Sequence, residues 1–431
     1  MKLSTASKAG WVASDNLGVN PNLPVAIPIG LSVALAGTAS LWLRQLDARA
    51  DAGNIVFWLL PWSVAALLVL RTRAPSWAVM VAAAVAMRVM FVGAPPWLSD
   101  DVYRYLAEGH ALNHGENPFL VAPIAMQSIS EGLRAQVNHA ELTTLYPPIA
   151  HAWFRLLDVL GGSVGTAQWM TTVADVSLVV AIARSAGTRW GLLYALHPLG
   201  PLEAALGAHI DVVAVALMAW AVVFARERPG PAAFLLMLGA GVKLFPVVVL
   251  PSLFLRRARR SVLIGTLIGC GVCLIAALPV LGAGPALVQT LGTYSSSWSF
   301  NGLGLALIEP LSPLPPRWVL ASVGAVAFVL ATWKARDERV VWGIVGAAFL
   351  CITPTAHPWY ALWAVVPALL LGRASWLLAS TALLGSYAVL WSLASPGGWT
   401  EPTWLLPATW GPALVIVGVA TWMQWRARPT P

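Results

Sequence analysis

Residues 23–43 read LPVAIPIGLSVALAGTASLWL, without one charged side chain. A run of this kind meets the roughly 20 apolar residues that a helix needs to cross a bilayer core. Further apolar runs fall near 55–70, 76–93, 166–183, 190–207, 211–225, 231–255, 261–282, 316–333, 340–356, 358–372, 375–394 and 404–425. Composition agrees with them. Of 431 residues, 58% are apolar and 10% are charged, with a mean hydropathy of +0.74. Ordinary soluble domains are about a quarter charged, so a water-soluble globule, a disordered chain, a coiled coil and a disulfide-knit secreted module are all excluded. The 32 prolines, 36 glycines and 23 tryptophans suit a bundle of membrane helices, where Gly and Pro are tolerated and Trp gathers at the interfaces. The fold expected is an all-α polytopic membrane bundle of about 11–14 segments.

The net charge of +8 does not mark a nucleic-acid partner, because the basic residues are scattered in pairs between apolar runs rather than gathered on one polar face. Membrane topology accounts for them. Arg71 and Arg73, Arg184 and Arg189, Arg226 and Arg228, Arg256 to Arg260, Lys334 to Arg339, Arg373, Arg426 and Arg428, with Lys2 and Lys8, fall on one side of the alternating runs. The positive-inside rule makes that side cytoplasmic. Segments 94–145, 208–210, 283–315 and 395–403, and the turn around His357, then face the exterior. The chain divides into membrane helices over 1–93, a structured external loop over 94–145, and the main bundle over 146–431. Two local readings stay open or uneventful. The stretch 146–160 reads as a span or as a membrane-entering half-helix. Cys270, Cys273 and Cys351 read as small residues at lipid depth rather than as a redox pair.

Segment 94–145 carries Asp100, Asp101, Glu108, Glu116, Glu131 and Glu141 against only Arg104 and Arg134. Loops of such length are more often functional than incidental. Pro95-Pro96-Trp97 marks the exit from the membrane. Ser99 is placed to cap a helix opening with Asp100 and Asp101, and Arg104 follows Asp100 at a helix-pair spacing. Neighbouring carboxylates raise each other's proton affinity, which suits a general base. Other polar groups recur on the same face. They are His114 to Phe119 with Asn117, Asn138-His139, Tyr146-Pro147-Pro148, and Glu203 with His209 and Asp211. Tyr294, Trp298 and Asn301, and His357-Pro358-Trp359-Tyr360, follow further on. Pro246 interrupts the 231–255 run and predicts two half-helices meeting near Lys243. Lys243 or Arg88 could meet a phosphate at headgroup depth, Arg88 alternatively snorkelling. Each piece alone also fits a turn, a cap or an aromatic belt; their convergence on one face is what points to a site. No phosphate-binding Gly-rich loop, zinc signature or nucleophile elbow occurs.

Ser99-Asp100-Asp101-Val102-Tyr103-Arg104-Tyr105, followed by Gly109, Gly115, Asn117-Pro118-Phe119 and Pro123, resembles the first external loop of the GT-C membrane glycosyltransferases. The group it is most similar to is the bacterial polyprenyl-phosphate-mannose-dependent mannosyltransferases, of the glycosyltransferase family 87 type. The likeness continues through Asn138-His139, Tyr146-Pro147-Pro148, His197-Pro198-Leu199, Glu203, His209, Asp211, Lys243 and Asn301, with His357 to Tyr360 a looser match. Ala107 and His110 depart from it. The resemblance implies a multi-pass protein of the cell membrane with an active site facing the periplasm or exterior. It implies a polyprenyl-phosphate sugar as donor, a lipid or glycan as acceptor, and inverting transfer without cofactor or metal. Carried onto this chain, Asp101 is the first choice for the base and Asp100 the second. Arg104, Tyr103, Asn117, Tyr146, His209, Asp211, Lys243, Asn301 and His357 are then expected to bind substrate. The competing reading is a secondary transporter or flippase of lipid-linked oligosaccharide, which shares the bundle and the broken helix but has no use for an acid-rich ordered loop.

Overall fold

The computed structural model describes residues 22–426; Lys2, Lys8 and Arg428 lie outside the described residues. Among the described residues helix is the one regular element, without a β-strand. Seven helices among the described residues are long and apolar enough to cross a membrane, beginning with Ala26–Leu43 and Arg49–Arg71 and ending with Leu405–Arg426. Shorter apolar helices at Trp77–Val89, Asp211–Phe224, Pro229–Val242, Phe245–Arg256 and Pro358–Leu370 fill the space between them.

The basic residues do gather at one end. Arg257 grips Glu338 through two hydrogen bonds of 2.9 and 2.6 Å. Arg226 and Arg339 share Asp337 at 3.4 and 2.6 Å. Arg339 also reaches Ser185 and the Leu370 carbonyl. These contacts place the 184–189, 226–228, 256–257, 334–339 and 370–373 segments together, opposite the 94–145 segment.

The break expected in the 231–255 run is present. Pro229–Val242 starts beside the basic end, the backbone turns at Lys243, and Phe245–Arg256 returns to that same end. Fourteen residues rise only about 21 Å, too short to span. The pair is therefore a hairpin whose tip, Lys243, stops inside the protein. Small residues let it sit close to its neighbours. A Cβ on Gly265 would lie 2.0 Å from the Gly230 carbonyl oxygen, and one on Gly241 2.3 Å from Ile149. Such small-residue seams are how membrane helices pack in the absence of a hydrophobic drive between them.

Arg88 neither snorkels nor reaches a ligand. It is fully buried, with Nε 2.7 Å from Asp175 Oδ2 and its guanidinium 5.7 Å from the Tyr194 ring centre. The pair pins Trp77–Val89 against Val164–Ala186 and Thr188–Leu196.

The 94–145 segment folds back onto Pro148–Val159. That helix is 12 residues long, about 18 Å, so it does not cross. It buries Ala150, His151, Phe154 and Leu157 against Asp101–Asn113. The helices touch at Gly109, where a Cβ would lie 2.1 Å from the Phe154 carbonyl oxygen. Around this contact Glu108, fully buried, accepts from Thr144 at 2.8 Å and lies 3.2 Å from His151 and 3.3 Å from Arg104. Gly109→Ala should therefore force the helices apart, costing about 1–3 kcal/mol as overpacking does. Thermal unfolding in detergent should show the loss. Gly132→Ala, where nothing lies within 4 Å, should leave the transition unchanged.

Candidate active site

The loop helix begins at Asp101, one residue later than a Ser99 cap would set it; the Ser99 hydroxyl accepts the Asp101 amide at 3.3 Å. Asp100, at the helix entry, is fully engaged. Arg49 Nη1 lies 2.5 Å from its Oδ2, and Asn138 Nδ2 donates to its Oδ1 at 2.6 Å. Arg104 does not pair with Asp100. It turns to Glu108 and to the carbonyls of Asn138, His139 and Leu142, stapling the loop to itself. The Asp101 carboxylate, by contrast, receives no hydrogen bond or ion pair among the described residues. It is partly accessible and faces the charges of His209, Lys243 and Asp211. Burial, the largest influence, raises its proton affinity above the usual carboxylate value; Asp100 adds to the rise, while His209 and Lys243 pull against it.

Three irregular pieces of backbone deliver the partners. The first is the π-helical turn Pro201–Leu206, which carries Glu203 and runs into Ala208 at φ 52° and His209. π-turns and left-handed non-glycine residues are uncommon and concentrate at functional sites. His209 is fully buried, its Nδ1 2.9 Å from Glu203 Oε2. The second piece is the hairpin tip. Lys243 Nζ lies 3.1 Å from Asp211 Oδ2 and stands 5.3 and 5.8 Å from the ring centres of Tyr146 and Tyr360. Trp363 Nε1 donates to the other Asp211 oxygen at 3.1 Å. The third is the extended passage 353–358. It pairs with residue 300 through Phe300 N to the Pro354 carbonyl at 3.0 Å and Ala356 N to the Phe300 carbonyl at 2.7 Å.

That pairing builds an aromatic wall. His209 stacks on Trp359 at 3.9 Å, Trp359 on His357 at 4.3 Å, and His357 on Phe300 at 5.3 Å. The two histidines are driven apart in charge. Burial, with the positive charges of His209 and Lys243, pushes His357 down to about 3. Burial would lower His209 as well, but Glu203, with Asp101 and Asp211, outweighs it and raises the ring above its ordinary value. A pair of titratable groups separated in this way is how a site assigns proton roles.

Of the residues expected from the sequence, Asp101, Tyr146, His209, Asp211, Lys243 and His357 come together here. Asn301, at φ 49°, lies beside them. Its amide donates to Glu401 at 2.9 Å and its side chain accepts from Thr409 at 2.9 Å. Tyr103 packs into the loop's own small core. Asn117 builds a turn at the far end of the loop helix by accepting from the Phe119 amide at 3.0 Å. The Tyr294 side chain lies outside the described residues. Arg49, which holds Asp100, and Tyr387, whose hydroxyl donates to Glu203 at 2.9 Å, were not foreseen. Arg49 had a signal, being a cation on the face assigned to acids. Tyr387, one of several hydroxyls within the apolar run 375–394, had almost none.

Removing Lys243 would leave Asp211 uncompensated, a change that costs about 3–5 kcal/mol when a buried pair is broken. Lys243→Met should destabilise by that order, and Lys243→Met with Asp211→Asn should recover most of it. A double-mutant cycle on unfolding temperatures checks the coupling.

Residues 144–354, just under half of the chain, match the model described as Glycosyltransferase family 87. Neither curated proteins nor solved structures return a match.

Proposed function

We propose that this chain is a membrane glycosyltransferase of the GT-C type that transfers a hexose, mannose in the first instance, from a polyprenyl-phosphate sugar to a lipid or glycan acceptor at the external membrane face. The single observation that carries the reading is the contrast between two adjacent carboxylates. Asp100 is consumed by Arg49 and Asn138, while Asp101 stands unbonded before two cations.

In this reading Asp101 is the base. The acceptor hydroxyl gives its proton to the Asp101 carboxylate as its oxygen attacks the anomeric carbon from the face opposite the phosphate. The C–O bond to phosphate breaks and polyprenyl phosphate leaves with the electron pair, so the configuration inverts. The departing phosphate goes from a singly charged diester to a doubly charged monoester, a change that nearby cations stabilise without a proton transfer. Lys243 and His209 supply positive charge where negative charge accumulates, in a setting that holds little water and so strengthens the effect. Tyr146, Tyr360 and the ring wall offer flat apolar faces with polar edges, suited to a sugar ring. Arg104, Tyr103 and Asn117 act by shaping the loop, and segment 94–145 serves as the external catalytic loop above the bundle. A donor held in the lipid suits a site that nucleotide sugars do not reach.

Transfer from radiolabelled polyprenyl-phosphate mannose to a membrane lipid extract tests the reading. Asp101→Asn should lower transfer by about 10²–10⁴, the usual worth of a general base, while still binding donor. Equal transfer by wild type and Asp101→Asn would remove Asp101 from the chemistry. Label carried across vesicles without transfer would favour the flippase.

The base must be ionised, so activity should fall as pH drops through the raised Asp101 value, above the ordinary carboxylate range. Asp100 raises that value. Asp100→Asn should therefore move the acid limb to lower pH, provided the loop stays folded, and a pH profile of initial rates reads the shift.

A further inference from the structure

Glu203 is fully buried and sits on the π-turn Pro201–Leu206. Tyr387 donates to its two oxygens at 2.9 Å each. Its Oε2 also lies 2.9 Å from His209 Nδ1, off the line of a good hydrogen bond, and the His209 amide donates to the Glu203 carbonyl at 3.0 Å. The ring is fixed from other directions too. Trp359 lies flat on one face at 3.9 Å and 19°. Gly207 leaves room for the edge, since a Cβ there would come within 2.6 Å of Cε1. With Nδ1 turned to the carboxylate, Nε2 points away from it; that atom is buried and has no hydrogen-bond partner. Nδ1 at least has the Glu203 carboxylate beside it, whereas a buried polar atom with no such neighbour needs an explanation.

We propose that Glu203 and Tyr387 are positioning residues that hold the His209 ring as a cation with its Nε2–H presented to a phosphate oxygen of the lipid-linked donor or of the departing polyprenyl phosphate. The inference rests on the donor assigned above and adds a mechanism for the cation. An imidazole in a low-dielectric setting keeps a second proton only if a fixed negative charge stands beside it. Glu203 is that charge, and Tyr387 prevents the carboxylate from rotating away. The groups around the ring act in the same sense. Asp101 faces it from the loop helix and Asp211 from the helix that follows it. Lys243 at the hairpin tip is held by Asp211, and neutral His357 lies beyond Trp359. The π-turn gains a purpose as well, because it brings the Glu203 side chain and His209 onto one side of a single bend.

The test measures binding of polyprenyl phosphate to the full chain in nanodiscs from about pH 5 to 9, the range over which histidine titrates. Wild type should lose affinity as pH rises through the His209 value. Glu203→Gln removes the charge that raises that value, so the alkaline limb should move to lower pH by about 1–3 units, the usual effect of a neighbouring opposite charge. Tyr387→Phe should weaken binding and leave the limb within about one unit of its place, because the charge remains. If Glu203→Gln shows the wild-type limb, Glu203 is structural only and the inference falls while the donor reading stands. If wild type binds no polyprenyl phosphate at any pH, the donor reading falls and takes this inference with it. Should Glu203→Gln not fold, Glu203→Asp keeps the charge and withdraws it from Nδ1; unchanged affinity in that variant also overturns the proposal.

Discussion

Within a bilayer core no water waits to satisfy an exposed amide or carbonyl, so backbone may leave the helix only where protein encloses it. Everything distinctive in this fold follows from where that licence is used. The π-turn at 201–206, the turn at Lys243 and the extended passage 353–358 are three departures from regular helix, and all three open toward the loop that carries Asp101. Each is enclosed by its neighbours. Pro354 and Ala356 spend their backbone groups on Phe300, and the His209 amide spends its own on the Glu203 carbonyl. The outer helices, such as Arg259–Val280 and Pro316–Lys334, stay regular and apolar because they have lipid to face.

The same scarcity of water sorts the charges. A carboxylate or guanidinium taken from water needs a partner or a purpose. Most here have partners: Arg88 with Asp175, Asp100 with Arg49, Arg257 with Glu338, Asp211 with Lys243. The departures from that pattern are more informative than the pairs. Asp101 keeps an unbonded carboxylate and His209 an unbonded Nε2, and each lies within reach of the other's charge.

Much of this was legible beforehand. Apolar run length marked the membrane helices, and Pro246 marked the broken one, because a missing amide and a bulky ring are local properties that any reader of the chain can find. Asp211 and Lys243 could be nominated because ionisable residues in apolar runs are expensive, and Asp101 because it stands beside a second carboxylate in an acid-rich loop. What was not legible is pairing across distance. Nothing near Asp100 announces that Arg49 will neutralise it and leave Asp101 as the available acid. Nothing near Arg88 announces Asp175, and a headgroup ligand was as reasonable a guess. Arg104 likewise turned inward to loop carbonyls, since closing a fifty-residue loop leaves many such carbonyls to satisfy.

The hairpin from Pro229 to Arg256 is a guest in the bundle. Its two limbs begin and end at the same face, and neither is long enough to anchor itself across a bilayer. What holds it is its neighbours, Asp211–Phe224 on one side and Arg259–Ala277 on the other. Lys243 is carried on borrowed footing, and the charge at its tip is met by Asp211 from one of those two walls.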